Sequence, residues 1–309
     1  MSESPRTITI GCLGYVSRPE FAYDCPSDRI QVESMLAARG DRIVIAHWDD
    51  LDPATLAARA WDVRRGVWGI EAFGRFDVLM ILEAPAPGSK NADFTRVDAA
   101  MREILSRGIP AVNSVRTFLE YPDKRYLVDR PDMPFPQTAV VTSETDLGPL
   151  FKTLPDEVVL KPLVGCGGKG VMRLPRDEQA VREAMLPGRE YLLQPFVPEI
   201  FAGEKSLYFF AKQYRYAAIK RPKPGEFRAN EEHADSERYE PTAEEIALAE
   251  AAIHRFASPS LIERVDMCGR FVLEMTIECP GMKFKKFGLE REAGLWTYEA
   301  IDMAIATRG

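Results

Sequence analysis

Residues 157–175 read EVVLKPLVGCGGKGVMRLP, and the fold turns on the conformation of the residues after their glycines. Val158, Val159 and Leu160 predict a short buried strand that delivers Lys161 to its end. Gly165-Cys166-Gly167-Gly168-Lys169-Gly170 matches the pattern GxGxxG. A dinucleotide-binding turn needs a helix directly after that pattern, to hold a pyrophosphate at its N-terminus. Here Val171 to Pro175 reads as a second strand. A Walker loop fails as well, because Gly170 and not Ser or Thr comes after Lys169. What remains is a glycine hairpin, a flap whose backbone N–H groups can close over phosphates. The bland alternative is a plain glycine loop beside a lysine that reaches solvent.

A second stretch, ERVDMCGRFVLEMTIECP, places Asp266 eight residues before Glu274. If residues 271–278 form a strand, Glu274, Thr276 and Glu278 project from one face. Phe271, Leu273, Met275 and Ile277 then project from the other, which argues against a merely solvated polar strand. Met267 to Arg270 supplies a turn, so Asp266 can close back across a hairpin towards Glu274. Converging carboxylates repel unless a cation sits among them, and hard oxygen ligands suit Mg²⁺. Lys124 lies upstream in NSVRTFLEYPDKRYLVD. Cations ahead, carboxylates behind and a glycine flap between them predict a nucleoside triphosphate site. A third group, KRPKPGEFRANEE, clusters Lys220, Arg221, Lys223 and Arg228 beside Asn230. Such a patch can hold phosphate or a substrate carboxylate, or can be a charged loop.

The 309 residues suffice for two or three subdomains, and 46% hydrophobic with 28% charged content is ordinary for a globular chain. A net charge of −7 argues against general nucleic-acid binding. Five cysteines without a CxxC pair fit free thiols in a reducing compartment, and three histidines argue against a histidine metal centre. No apolar run approaches the ~18 residues that cross a membrane. The expected location is cytoplasmic, with no membrane partner. Oligomeric state stays open; a homodimer is one common arrangement.

In the first third, TITIGCL, RIVIAHW, DVLMILE and IPAVN are strand-length apolar runs. Phe94, Val97, Met101, Ile104 and Leu105 recur at helical spacing, and Gly108 closes that helix. Alternating strands and helices predict a parallel sheet covered on both faces. Ligands gather at the carboxyl ends of such strands, which points to Tyr15, Ser17 and Arg18. Further on, TAVV, EVVLKPL and GVMRLP predict a small sheet, and YLLQPFVPEI a crossing strand with a proline hinge. KSLYFFAK and YRYAAIKRP come next as strands, then a helix capped by Thr242 and Glu245 with a stripe of Ile246, Ala249, Ile253 and Phe256. A closing helix is expected near TYEAIDMAIA.

The order of these pieces resembles the ATP-grasp superfamily, and within it the glutathione synthetase-like ligases and the O-ureidoserine cyclo-ligase that makes cycloserine. The resemblance covers about residues 110 to 282 and implies an α/β ATP-grasp fold behind an N-terminal Rossmann-like domain. It implies divisions at residues 1–114, 115–193 and 194–309. It also implies roles. Lys124 and Lys161 would contact ATP phosphates, and Gly165, Gly167, Gly168, Lys169 and Gly170 would form the flap. Gln194, Pro195, Phe196 and Val197 would hold adenine, and Glu204 the ribose. Asn230 would lie at the nucleotide, Asp266 and Glu274 would hold Mg²⁺, and Arg228 with Lys220 would act on the acyl-phosphate. Three departures stand out. Thr276 replaces the family's metal-binding asparagine, with Glu278 as the alternative ligand. Lys220 replaces an arginine, and residues 231–235 replace a glycine-rich substrate loop.

The function expected is ATP-dependent joining of a carboxylate to an amine through an acyl-phosphate, releasing ADP and phosphate. The substrates would be amino-acid-like or small-peptide molecules. The alternatives are an intramolecular cyclo-ligase, a kinase on the same fold, a Rossmann oxidoreductase and a non-catalytic nucleotide-binding module.

Overall fold

The computed structural model describes residues 7–14, 32–35, 37–82, 84, 94–121, 123–128, 133–165, 167–230, 233–255, 261–276 and 281–307. Tyr15, Ser17, Arg18, Cys166, Phe256, Ile277 and Glu278 lie outside them. Three sheets carry the fold.

The first contains β1 (Thr9–Gly14), β2 (Arg42–His47), β3 (Ala57–Asp62), β4 (Val67–Ala72), β5 (Val78–Ile81) and β6 (Ala111–Val112) in the order β4-β3-β2-β1-β5-β6. β1 runs parallel to β2 and β5, and β5 parallel to β6. These strands are continuous apolar runs because helices cover both faces. Helix α1 (Phe94–Ser106) lays Val97, Met101 and Ile104 over one face. Gly11 is required by a close approach: a Cβ there would collide with the Phe76 ring. The antiparallel hairpin β3–β4 was not expected from the sequence. Its strand residues Ala57, Ala58 and Ala60 have poor β-propensity, so packing and pairing with β2 decide the conformation.

After α2 (Val115–Glu120) comes the second sheet, with β7 (Ala139–Val141), β8 (Glu157–Pro162), β9 (Met172–Pro175) and β10 (Tyr191–Pro195) in the order β7-β10-β8-β9. All its pairings are antiparallel. Leu160 pairs with Met172, so the glycine loop joins two hydrogen-bonded strands, as its sequence predicts. α3 (Gly148–Phe151) and α4 (Glu178–Ala184) back this sheet, with Val181 buried against Leu160 and Leu193. The crossing strand is shorter than expected. It ends at Pro195, and residues Pro198–Ala202 turn into a 3₁₀ helix, because prolines cannot donate to a ladder.

The third sheet holds β11 (Glu204–Phe210), β12 (Gln213–Pro222), β13 (Ala234–Tyr239), β14 (Ile262–Cys268) and β15 (Phe271–Thr276), ordered β13-β12-β11-β14-β15 and antiparallel throughout. Helix α5 (Ala243–Arg255) packs Ala249 and Ile253 on Leu207, Phe209 and Val265. Its capping box is formed: Glu245 N donates to Thr242 Oγ1 at 3.2 Å, and Thr242 N to Glu245 Oε2 at 2.9 Å. After α6 (Phe284–Phe287), the closing helix α7 (Glu290–Ala306) starts seven residues earlier than TYEAIDMAIA indicates. It buries Ala293, Tyr298 and Ile301 in a core shared by the first and third sheets. Among the described residues no helix is long and apolar enough to cross a membrane.

Candidate functional site

Strand register builds the floor of the site. Directly opposed residues on antiparallel strands share a face. One row across the third sheet therefore reads Arg238, Ala218, Ser206, Asp266, Glu274. Beside it on the same face lies Ser236, Lys220, Glu204, and on its other side Tyr216, Tyr208, Arg264, Thr276. The D-x7-E spacing is thus a tight hairpin in which a bulge at Leu273 sets Asp266 opposite Glu274.

Asp266 is buried and heavily bonded. Arg264 grips it with Nε at 3.0 and 3.1 Å and Nη2 at 2.8 Å. Ser206 Oγ donates to it at 2.5 Å, and Lys220 Nζ at 3.3 Å. Burial alone would raise its pKa; Arg264 and Lys220 outweigh that and hold the carboxyl well below its usual range. The same carboxylates act in return. Burial opposes the charge on Lys220, but Asp266 and Glu204 keep its ammonium protonated well above the ordinary range. Lys220 also pairs with Glu204, whose pKa burial pushes up. Glu274 is more open, with its side chain 40% exposed, and meets Lys124 Nζ at 3.5 Å.

The second sheet supplies the facing wall. Lys124 Nζ donates to the Gly165 carbonyl, tying the 3₁₀ turn Lys124–Leu127 to the glycine loop. Lys161 stands at the end of β8 near Lys124, Glu274 and Glu204. Burial in the cleft is the main cause that lowers its pKa to about 8, and the Lys124 charge acts the same way. Gly168 has φ +71°, and a Cβ there would lie 2.5 Å from Asn230 Oδ1 and 3.4 Å from Arg228 Cδ. The flap therefore rests on the Arg228–Asn230 segment. Lys169 is exposed on that flap. Arg228 is engaged by Glu226, with Nη2 to Oε2 at 2.6 Å and Nε to Oε1 at 3.0 Å. That bond and two backbone N–H groups hold the Glu226 carboxyl down at about 2.

At the hinge, Gln194 turns its side chain back to Thr138 Oγ1 at 2.6 Å, and the Phe196 N–H is committed to Glu157 O at 3.0 Å. Phe196 and Val197 are buried beside Cys268, with Val159 and Leu273 packed against them. Thr276 is on the expected face, but its hydroxyl accepts from Arg264 Nη2 at 3.0 Å. Arg264 was missed by the sequence reading. Its signal was available, since alternation through Ile262, Arg264 and Asp266 places all three on one face.

These residues suit ATP with Mg²⁺. Among the described residues no three His, Cys, Asp or Glu side chains form a ready-made metal cage. Mg²⁺ does not need one, because it is held by one or two carboxylates together with phosphates and water. Asp266 and Glu274 offer that pair. Asn230 Oδ1 is buried without a hydrogen-bond partner under the flap, a polar group placed for a ligand.

The titration of Lys161 sets a proton count. If Lys161 contacts the triphosphate, bound nucleotide restores the charged ammonium, and the complex then holds more protons than the free protein above pH 8. Nucleotide affinity should then fall as pH rises through that value. Titration calorimetry at pH 8.5 in two buffers of different ionisation enthalpy should show uptake of up to about one proton per nucleotide. Lys161→Met should abolish the uptake. Proton release on binding would contradict the placement of Lys161.

The model of the prokaryotic glutathione synthetase ATP-grasp domain matches residues 123–283. A glutathione synthetase from Bordetella parapertussis is 25% identical over 237 residues, 74% of this chain and 73% of that one. One from Nitrosomonas europaea is 31% identical over 130 residues, 40% of each chain. Among solved structures, D-cycloserine synthetase DcsG superposes with TM-score 0.63 at 19% identity, covering 94% of this chain and 99% of that one. D-alanine–D-alanine ligase from Bacillus anthracis gives 0.62 at 15% identity, covering 98% and 99%. Those two likenesses carry the fold, and the domain match, which spans more than half of the chain, carries the lineage. The chain belongs to the prokaryotic glutathione synthetase ATP-grasp family.

Proposed function

We propose that this ATP-grasp ligase, which uses ATP with Mg²⁺ to join a carboxylate to an amine, takes an amino-acid-like or small-peptide carboxylate and activates it as an acyl-phosphate. The observation that carries this reading is the Asp266–Glu274 pair, facing Lys124 and Lys161 beneath a glycine flap. A carboxylate is a poor electrophile. One of its oxygens attacks the γ-phosphorus, and the bond to ADP breaks. The amine then attacks the carbonyl carbon, phosphate leaves with that oxygen, and the amine loses its proton.

Mg²⁺, when bound, supplies charge neutralisation across the phosphates. The chain's own residues do the rest. Lys124 and Lys161 orient phosphate oxygens, and Glu204 and the Gln194–Val197 backbone position the nucleoside. Arg228 and Asn230 sit where the flap closes, so flap closure brings them to the transferred group and excludes water. Lys220 holds Asp266 and Glu204 in place, and its charge opposes the burial that pushes up the Glu204 pKa. We also assign subdomain divisions near residue 114 and after Pro195, where β10 ends, since a division at residue 193 would cut that strand; three separate sheets support them.

Screening amino acids and dipeptides for ADP release, with hydroxylamine present, tests the reading. An acyl-phosphate should be trapped as a hydroxamate, one per ADP. Arg228→Ala should slow trapping about a hundredfold while changing ATP affinity little, because the arginine acts on charge that develops during transfer. AMP and pyrophosphate as products would contradict it. A stable phosphorylated product would favour a kinase.

A further inference from the structure

Resting on the ligase reading above, we propose that the Arg264 guanidinium fills the place of a second divalent cation, so that the site takes one Mg²⁺ per nucleotide. Some phosphoryl-transfer sites use two metal ions about 3.5–4 Å apart, a clamp on the attacking and leaving oxygens. The oxygens that could hold such a pair here lie on one face of one hairpin, where Asp266 is opposite Glu274 and Thr276 is opposite Arg264. Arg264 enters that group from two residues before Asp266.

The filled place has a definite position. Arg264 Nη2 lies 2.8 Å from Asp266 Oδ2 and 3.0 Å from Thr276 Oγ1. A Mg²⁺ shared by those two oxygens would need about 2.1 Å to each. On the side where they meet the arginine, that position collides with the nitrogen, and two cations so close repel. Asp266 also has little left for a second ion. Its two oxygens present about four lone-pair directions. Arg264 Nε reaches both oxygens, Nη2 reaches Oδ2, and Ser206 Oγ and Lys220 Nζ reach Oδ1. Glu274 differs: its side chain is 40% exposed and stands 3.5 Å from Lys124 Nζ. The open carboxylate holds the one ion, and the crowded one holds the guanidinium.

An arginine suits this place chemically. Its guanidinium stays charged at any working pH, and its planar fork matches phosphate oxygens as it matches a carboxylate. The charge it supplies does not depend on the free Mg²⁺ concentration. The side chain is also held. Tyr208 is its cross-strand neighbour on one side and Thr276 on the other, and Tyr208 stacks on Tyr216 at 4.3 Å. With the Arg264 side chain 19% exposed and bonded to Asp266, its charge is in place before the nucleotide arrives.

The test counts ions and is read apart from turnover. Protein saturated with a non-hydrolysable ATP analogue is titrated with Mn²⁺, a probe whose solution EPR signal is lost on binding. The parent should bind one Mn²⁺ per complex and give the low-temperature spectrum of an isolated ion. Arg264→Ala should bind two, with the spin coupling of ions about 3.5–4 Å apart. Methylguanidinium added to that variant should return the count to one. Two coupled ions in the parent would overturn the inference, whether or not the variant folds, and would leave the ligase reading standing. A folded Arg264→Ala protein that still binds a single ion would overturn it too. Counts of one and two, with no hydroxamate from any screened acid, would uphold the inference and contradict the ligase reading alone.

Discussion

Glu274→Gln should lower kcat by about a hundredfold to a thousandfold or more while leaving the protein folded, the scale on which loss of a charge-stabilising group acts. Its side chain is 40% exposed and meets a single lysine, so the amide leaves nothing buried without a partner. Asp266→Asn should be equally inactive but should also unfold more easily. Its carboxylate sits between Arg264 and Lys220, and its loss leaves Arg264 without its bonded carboxylate in the interior while Lys220 keeps only Glu204. Breaking such a buried pair costs about 3–5 kcal/mol. Kinetics with thermal melts separates the two effects. A Glu274→Gln protein with near-normal rate and Mg²⁺ dependence would move the metal elsewhere.

Arg264→Lys is the second large effect expected. Lysine keeps the charge but loses the planar fork that spans Asp266 and Thr276. If the guanidinium also faces the transferred group, kcat should fall about a hundredfold with ATP affinity little changed. Thr276→Val should reproduce a small part of that loss by removing one acceptor. A kcat within twofold of the parent for Arg264→Lys would reduce Arg264 to a structural counter-ion of Asp266.

Much of this architecture is legible in the sequence because it depends on local chemistry. A strand after the glycine loop excluded the dinucleotide turn, and β9 is that strand. The hairpin over residues 266–274 has a two-residue turn at Gly269 and Arg270, which alone would set Asp266 opposite Leu273. A bulge at Leu273, which no local pattern announces, shifts the register and brings Glu274 opposite Asp266. Other features depend on pairing that no local pattern announces. The β3–β4 hairpin is rich in alanine and charge, and gains its form from β2. Arg238 lies in a polar strand, Ala234–Tyr239, with little apolar alternation to mark it. Its relation to Asp266 exists only across four strands. Arg264 is the intermediate case: the alternation that aligned Glu274 with Thr276 also aligned Arg264 with Asp266.

The central claim is that a carboxyl oxygen of the substrate is transferred to phosphorus. A substrate labelled with ¹⁸O in the carboxylate it activates, turned over with unlabelled ATP, tests it directly. One labelled oxygen per turnover should appear in inorganic phosphate, and the nucleotide product should be unlabelled ADP. Label recovered in AMP, or inorganic phosphate without label, would contradict the account.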